Sequence, residues 1–180
     1  MSEQIYIGLL RGINVGGKVL KMTDLKDAVA TLGFSDVKTY LQSGNMVFRA
    51  PKAGDDALGR RISKAIAEAV GMDVAVMIRS LAEWNVVINK NPFPAAATLP
   101  KTLHAFILGK QPDEARVSDL AGKDFGSEEW KIVGDTLYLH TPDGFGKSKL
   151  GNSVERMLKV PMTGRNWNTV LALREMAAEF

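Results

Sequence analysis

Apolar residues run almost unbroken from Ile5 to Leu10, interrupted only by Gly8, and such a run predicts a strand buried on both faces. From Met22 to Gly33 the period changes. Leu25, Val29 and Leu32 recur at helical spacing, Thr23 or Asp24 stands where a cap is needed, and Gly33 ends the segment. Val37–Gln42 and Met46–Arg49 are rich in β-formers and flank Ser43-Gly44-Asn45, which reads as a hairpin turn. Pro51–Asp56 reads as a polar loop. Leu58, Ile62, Ile66 and Val70 then repeat every four residues until Gly71, an amphipathic helix, and Val74–Arg79 reads as a further strand. The order β-α-β-β-α-β over residues 4–80 predicts an α/β (α+β) fold with a ferredoxin-like first half.

Leu81–Asn89 reads as a short helix, after which Asn91-Pro-Phe-Pro94 and Thr98-Leu-Pro100 break regular structure. The expected organisation is therefore a ferredoxin-like domain over 1–80, a helix and Pro-rich connection over 81–100, and a smaller α+β part over 101–180. In that last part Thr102–Leu108 predicts a strand. Glu129–Val133 and Thr136–His140 predict two more around the tight-turn pair Gly134-Asp135. Helices are expected near Asp113–Leu120, near Asn152–Leu158 and over Trp167–Ala178. Whether this second set echoes the first stays open, since no convincing sequence repeat joins them.

In a ferredoxin-like sheet the first crossover makes strands one and two parallel, and strand three inserts between them. The loops that follow strands one and two then share one edge, which places Arg11–Lys18 beside Gln42–Asn45. The candidate ligand-binding residues are Arg11, Asn14, Gly16, Gly17 and Lys18 on the first loop and Gln42, Ser43, Gly44 and Asn45 on the second. Glycine lets backbone adopt positive φ, and successive N–H groups in such loops form nests for anions. Arg165 and Asn166 join the list because they open the last predicted helix, whose N-terminus carries unsatisfied N–H groups. The plainer readings are that Asn14 and Asn45 stabilise their own turns, that Lys18 is solvated, and that Asn166 is a cap beside a core Trp167. Gly12-Ile-Asn-Val-Gly16-Gly17-Lys18 matches neither the Walker spacing nor G-x-G-x-x-G, so a standard nucleotide loop is disfavoured.

Composition narrows the classes. The 180 residues are 46% hydrophobic and 24% charged, ordinary for a globular chain. There is no cysteine, so neither a disulfide nor a thiol nucleophile is available, and a cytoplasmic location is the expectation. No apolar run is long enough to span a bilayer, the first residues do not read as a signal peptide, and no membrane partner is expected. The net charge of +3 permits an anionic partner without requiring one. Phe145–Gly151, with Lys147 and Lys149, is a basic loop, but 7% aromatic content makes nucleic-acid binding a less favoured reading. His104 and His140 sit in strand-like runs with no metal-ligand spacing, and no metal is expected. Asp55-Asp56 and Glu128-Glu129 read as exposed loop charge.

Leu9-Leu-Arg-Gly-Ile-Asn-Val-Gly-Gly-Lys18, Thr39-Tyr-Leu-Gln-Ser-Gly-Asn45, Asn91-Pro-Phe93 and Arg165-Asn-Trp-Asn-Thr169 together resemble a bacterial family, domain of unknown function 1697. The resemblance implies an α/β protein with a ferredoxin-like N-terminal half and a smaller C-terminal part, and no established activity. One departure is Gly164, where a second threonine would be expected before the arginine. The functional expectation is binding of a small phosphate- or carboxylate-bearing ligand at loops 11–18 and 42–45. The alternative is an enzyme of unidentified class at the same place, with catalytic residues and cofactor unknown. Oligomeric state is not legible.

Overall fold

The computed structural model describes every residue except Met1 and Lys18. The chain divides into two compact units, residues 1–86 with 172–180, and residues 87–171.

The first unit contains β1 (Glu3–Leu10), α1 (Met22–Ala30), β2 (Ser35–Tyr40), β3 (Asn45–Pro51), α2 (Asp55–Val70) and β4 (Val76–Ser80). Its sheet has the order β2-β3-β1-β4, with each neighbouring pair antiparallel. This is the ferredoxin-like arrangement that the sequence pattern predicts. One sheet face carries Tyr6, Leu10, Met46, Phe48 and Ile78 against Leu25 and Val29 of α1 and Leu58, Ile62 and Ile66 of α2. Phe48 stacks between Tyr6 and Phe34, with ring centroids 5.7 and 5.2 Å away. The helix stop at Gly71 holds: it is left-handed, at φ 69°, and its N–H reaches Ala67 O.

Local expectations fail at three points here. Neither Thr23 nor Asp24 caps α1; the helix begins at Met22 behind Lys21, with no side-chain cap. Asn45 belongs to β3 rather than to the turn, which is residues 41–44. The polar stretch 51–56 is not all loop, because β3 runs through Pro51 and α2 starts at Asp55, whose carboxylate lies 3.6 Å from Arg79 Nη1.

After α3 (Leu81–Asn89) come two short 3-10 turns at 96–98 and 100–102. Ser80 and Glu83 cap α3 reciprocally: Ser80 N–H donates to Glu83 Oε2 at 2.7 Å, and Glu83 N–H donates to Ser80 Oγ at 3.3 Å.

The second unit then runs β5 (Leu103–Leu108), α4 (Glu114–Ala121), β6 (Glu129–Val133), β7 (Thr136–His140), α5 (Val154–Leu158) and β8 (Met162–Asn166), before α6 (Trp167–Ala178). Its sheet order is β6-β7-β5-β8, again antiparallel throughout. This is the same β-α-β-β-α-β topology as the first unit. β8 is the strand that the periodicity does not announce.

The registers align the two sheets residue by residue. Gly8 lies between Met46 and Ile78, and Phe106 lies between Leu137 and Gly164. In the first unit the central strand supplies the glycine, and an added Cβ would sit 2.5 Å from Met46 Cε. In the second the central strand supplies the phenylalanine, and the edge strand supplies Gly164, where a Cβ would sit 2.5 Å from Phe106 Cε1. The same space is filled from opposite sides. The departure at Gly164 therefore has a cause within the chain: a threonine there would overlap Phe106.

Candidate functional site

The predicted convergence of the two loops is present in the fold. Leu10 N–H donates to Gly44 O at 2.8 Å, so the chain leaving β1 is hydrogen-bonded to the β2–β3 turn. A Cβ on Gly44 would lie 2.7 Å from Leu10 Cβ and 2.6 Å from Ile13 Cδ1. Asn14 completes the junction. Its Nδ2 donates to Gln42 O and, at 3.3 Å, to Leu20 O, while its Oδ1 accepts from Leu20 N–H at 2.9 Å. One side-chain amide thus closes the 11–21 loop on itself and fastens it to the hairpin.

The loop is anchored at both ends and open in the middle. Ile13 and Leu20 are buried in the first unit's core, whereas Val15, Gly16, Gly17 and Val19 are exposed. Left-handed backbone recurs along it at Gly12 (φ 66°), Asn14 (55°), Gly16 (61°) and Gly17 (94°). Arg11, Gln42 and Ser43 are exposed at the same edge.

Several candidates take positions other than those expected. Asn14 and Asn45 are framework. Asn45 is fully buried and donates to Tyr40 O at 2.8 Å and to Ser43 Oγ at 2.9 Å, which fixes the turn from beneath. Gly44 is likewise buried. Lys18 lies outside the described residues. Arg165 and Asn166 belong to β8 and so to the second unit. Arg165 is buried, its Nη1 donating at 2.8 Å to both Thr163 Oγ1 and Gly164 O, and burial pulls its pKa down to about 10, so it stays cationic at neutral pH. Asn166 is the cap of α6, accepting from Thr169 N–H at 3.0 Å. Beside it Trp167 is buried, as the plainer reading of this stretch has it.

The remaining charged features also resolve. His104 pairs with Leu139 and His140 with Leu103, so the two histidines face opposite sides of their sheet. His140 Nδ1 lies 3.2 Å from Glu129 Oε2. Glu128 is not loose loop charge. Its carboxylate accepts from Ser148 Oγ at 2.9 Å and from the N–H groups of Lys149 and Leu150 at 3.1 Å each, which pins the basic loop. A cleft of about 640 Å³ beside that loop is lined by Lys147 and Lys149, but also by Asp124, Glu128 and Asp143, so its charge is mixed. Replacing Glu128 by alanine strands three donors. The expected result is a loss of about 2 kcal/mol in denaturant unfolding and faster amide exchange at Lys149 and Leu150.

The two sheets can be compared at the same edge. In the second unit Leu108 N–H donates to Asp135 O at 2.9 Å, as Leu10 does to Gly44. Gly109 N–H donates to Pro161 O at 2.8 Å, as Arg11 does to Ala75 at 2.9 Å. Gln111 Nε2 donates to Gly134 O at 2.9 Å, doing what Asn14 does for Gln42. Yet the connection there is only residues 109–113 and the turn only Gly134-Asp135. In the first unit the connection is more than doubled, at 11–21, and the turn is doubled, at 41–44.

A family model described as a protein of unknown function (DUF1697) matches residues 4–138. The chain belongs to this family. Among solved structures, the conserved bacterial protein SP0830 of Streptococcus pneumoniae is similar over 98% of this chain and 99% of its own, with a TM-score of 0.74 and 20% identity. That likeness shows that the DUF1697 chain shares the fold of SP0830. An unknown protein from Galdieria sulphuraria aligns over 92% of this chain and 99% of its own at 16% identity, with a TM-score of only 0.27. No curated protein matches the sequence.

Proposed function

We propose that this DUF1697 protein binds a small anionic group, phosphate or carboxylate, at the paired loops 11–17 and 41–44 of its first unit. The support is the comparison between the two sheets. One ferredoxin-like unit closes this edge with a short crossover and a two-residue turn. The other spends a longer glycine-bearing loop on the same junction and carries an exposed arginine on it. Closing the sheet does not require that extra length, and long exposed loops on rigid scaffolds are where binding groups concentrate. Left-handed residues recur along the loop, the kind of backbone from which anion-binding nests are built, and Arg11 is an exposed cation on the same loop.

The test is a thermal-shift titration with inorganic phosphate, nucleotides and phosphorylated metabolites. A ligand held at about 100 times its Kd stabilises by about 2.7 kcal/mol, which is readily measured. Arg11→Ala is expected to abolish the shift. Lys110→Ala, at the corresponding loop of the second unit, is expected to leave it intact. Absence of any shift, or a shift that survives Arg11→Ala, overturns the proposal.

A further inference from the structure

Three large hydrophobic side chains stand exposed on the candidate loops: Val15 at 64%, Val19 at 72% and Leu41 at 55%. They are gathered at one place. Val15 follows Asn14, Val19 precedes Leu20 and Leu41 precedes Gln42, and these three neighbours are the members of the Asn14 hydrogen-bond cluster. Leu41 is also left-handed, at φ 56°, a conformation that bulky residues rarely adopt.

The charge within the two loops themselves is of one sign. No Asp or Glu occurs from Gln4 to Thr23 or from Val37 to Gly54, while Arg11 and Lys21 are exposed on the first of these stretches. Acids border the loop on its flanks, at Asp24 in the first turn of α1 and at Asp73, exposed on the loop entering β4. The loop is also uncrowded. A Cβ on Gly12, Gly16 or Gly17 would meet nothing within 4 Å, so these glycines face open space and do not line a closed cleft. An open loop with exposed apolar side chains, exposed cations and glycine backbone matches a flat anionic surface better than an enclosed molecule.

We infer that this loop edge docks on an anionic lipid surface. Headgroup phosphate is taken by the loop amides beside Arg11, and Val15, Val19 and Leu41 enter the boundary between headgroups and acyl chains. The inference rests on the anion-binding reading above and names the carrier of the anion. It departs from the expectation that no membrane is a partner, which followed from the length of apolar runs. No helix among the described residues is long and apolar enough to cross a membrane, and surface docking needs none.

The experiment is co-sedimentation with vesicles of mixed phosphatidylglycerol and phosphatidylcholine, against pure phosphatidylcholine, with a phosphate titration run in parallel. The protein is expected to bind only the anionic vesicles. The triple variant Val15→Ser, Val19→Ser, Leu41→Ser should weaken vesicle binding by at least about tenfold. Arg11→Ala should weaken vesicle binding about fivefold, the equivalent of about 1 kcal/mol for one surface charge, and should lose phosphate binding. Leu99→Ser removes an exposed apolar side chain of the second unit and should change neither. Phosphate binding without vesicle binding overturns the lipid inference and leaves the anion-binding reading standing. Loss of both overturns both. Vesicle binding that the triple variant does not weaken also overturns the inference.

Discussion

Gly44→Ala is expected to destabilise the protein by about 3 kcal/mol or more, with a visible change at the loop junction. Two effects add. Gly44 sits at φ 78°, where an L side chain costs about 1–2 kcal/mol. The new methyl would also lie 2.7 Å from Leu10 Cβ and 2.6 Å from Ile13 Cδ1. Ile13 can turn its terminal carbon away. Leu10 Cβ cannot move without its backbone, and that backbone is held by the bond to Gly44 O. Overpacking of this kind adds about 1–3 kcal/mol. Gly16→Ala is the control: its φ is 61°, but a Cβ there has nothing within 4 Å, so only the conformational cost applies. Urea unfolding of the two variants separates the terms. Equal losses would mean that packing at the junction contributes nothing, and the loops would then not be held together as described.

That junction was readable in advance because it follows from topology. Six elements of consistent period imply a ferredoxin-like sheet, and the sheet order carries the ends of β1 and β2 to one edge whatever the loops contain. The side chains at the edge were less legible. Asn14, Asn45 and Gln42 are all polar residues near turns, and their sequence context does not reveal which amide is turned inward to bind backbone. Burial separates them: Asn45 is fully enclosed, and Asn14 divides its hydrogen bonds between two loops.

The second unit shows why the repeat was hidden. Met162-Thr-Gly-Arg-Asn166 has one large apolar residue and a central glycine, so β8 lacks both an apolar run and a clean alternation. Its glycine is set by Phe106 on the neighbouring strand, a long-range cause with no local trace. Between the halves, what recurs is filled volume and backbone bonding. Gly8 with Ile78 in one sheet becomes Phe106 with Gly164 in the other, and Asn14 to Gln42 O becomes Gln111 to Gly134 O. A comparison of residue types sees no match in either case.

Acidification is expected to destabilise the second unit through His104, by roughly 3 kcal/mol between about pH 6.5 and pH 4. The histidine lies on β5 with its side chain buried, its ring stacked on Phe145 at 4.2 Å and 6.4 Å from Phe106, and its Nδ1 without a hydrogen-bond partner. A proton added at Nδ1 would find no acceptor there, and burial lowers the pKa of His104 from 6.5 to about 4. An unfolded chain takes up this proton near pH 6.5, whereas the folded one refuses it until about pH 4. Stability is therefore intact above about pH 6.5, falls as pH drops through the interval, and levels off below about pH 4 as far as this group is concerned. Other groups of the protein also respond to pH, so the measurement is a difference. Urea unfolding of wild type and His104→Leu is followed from pH 8 to pH 4. At pH 8 the leucine variant is expected to match or exceed wild type, since it removes an unpaired buried polar atom. Toward pH 4 the gap should widen in favour of leucine by roughly 3 kcal/mol. Parallel curves would mean that His104 is protonated as easily folded as unfolded, and that the stack on Phe145 opens far enough to admit water.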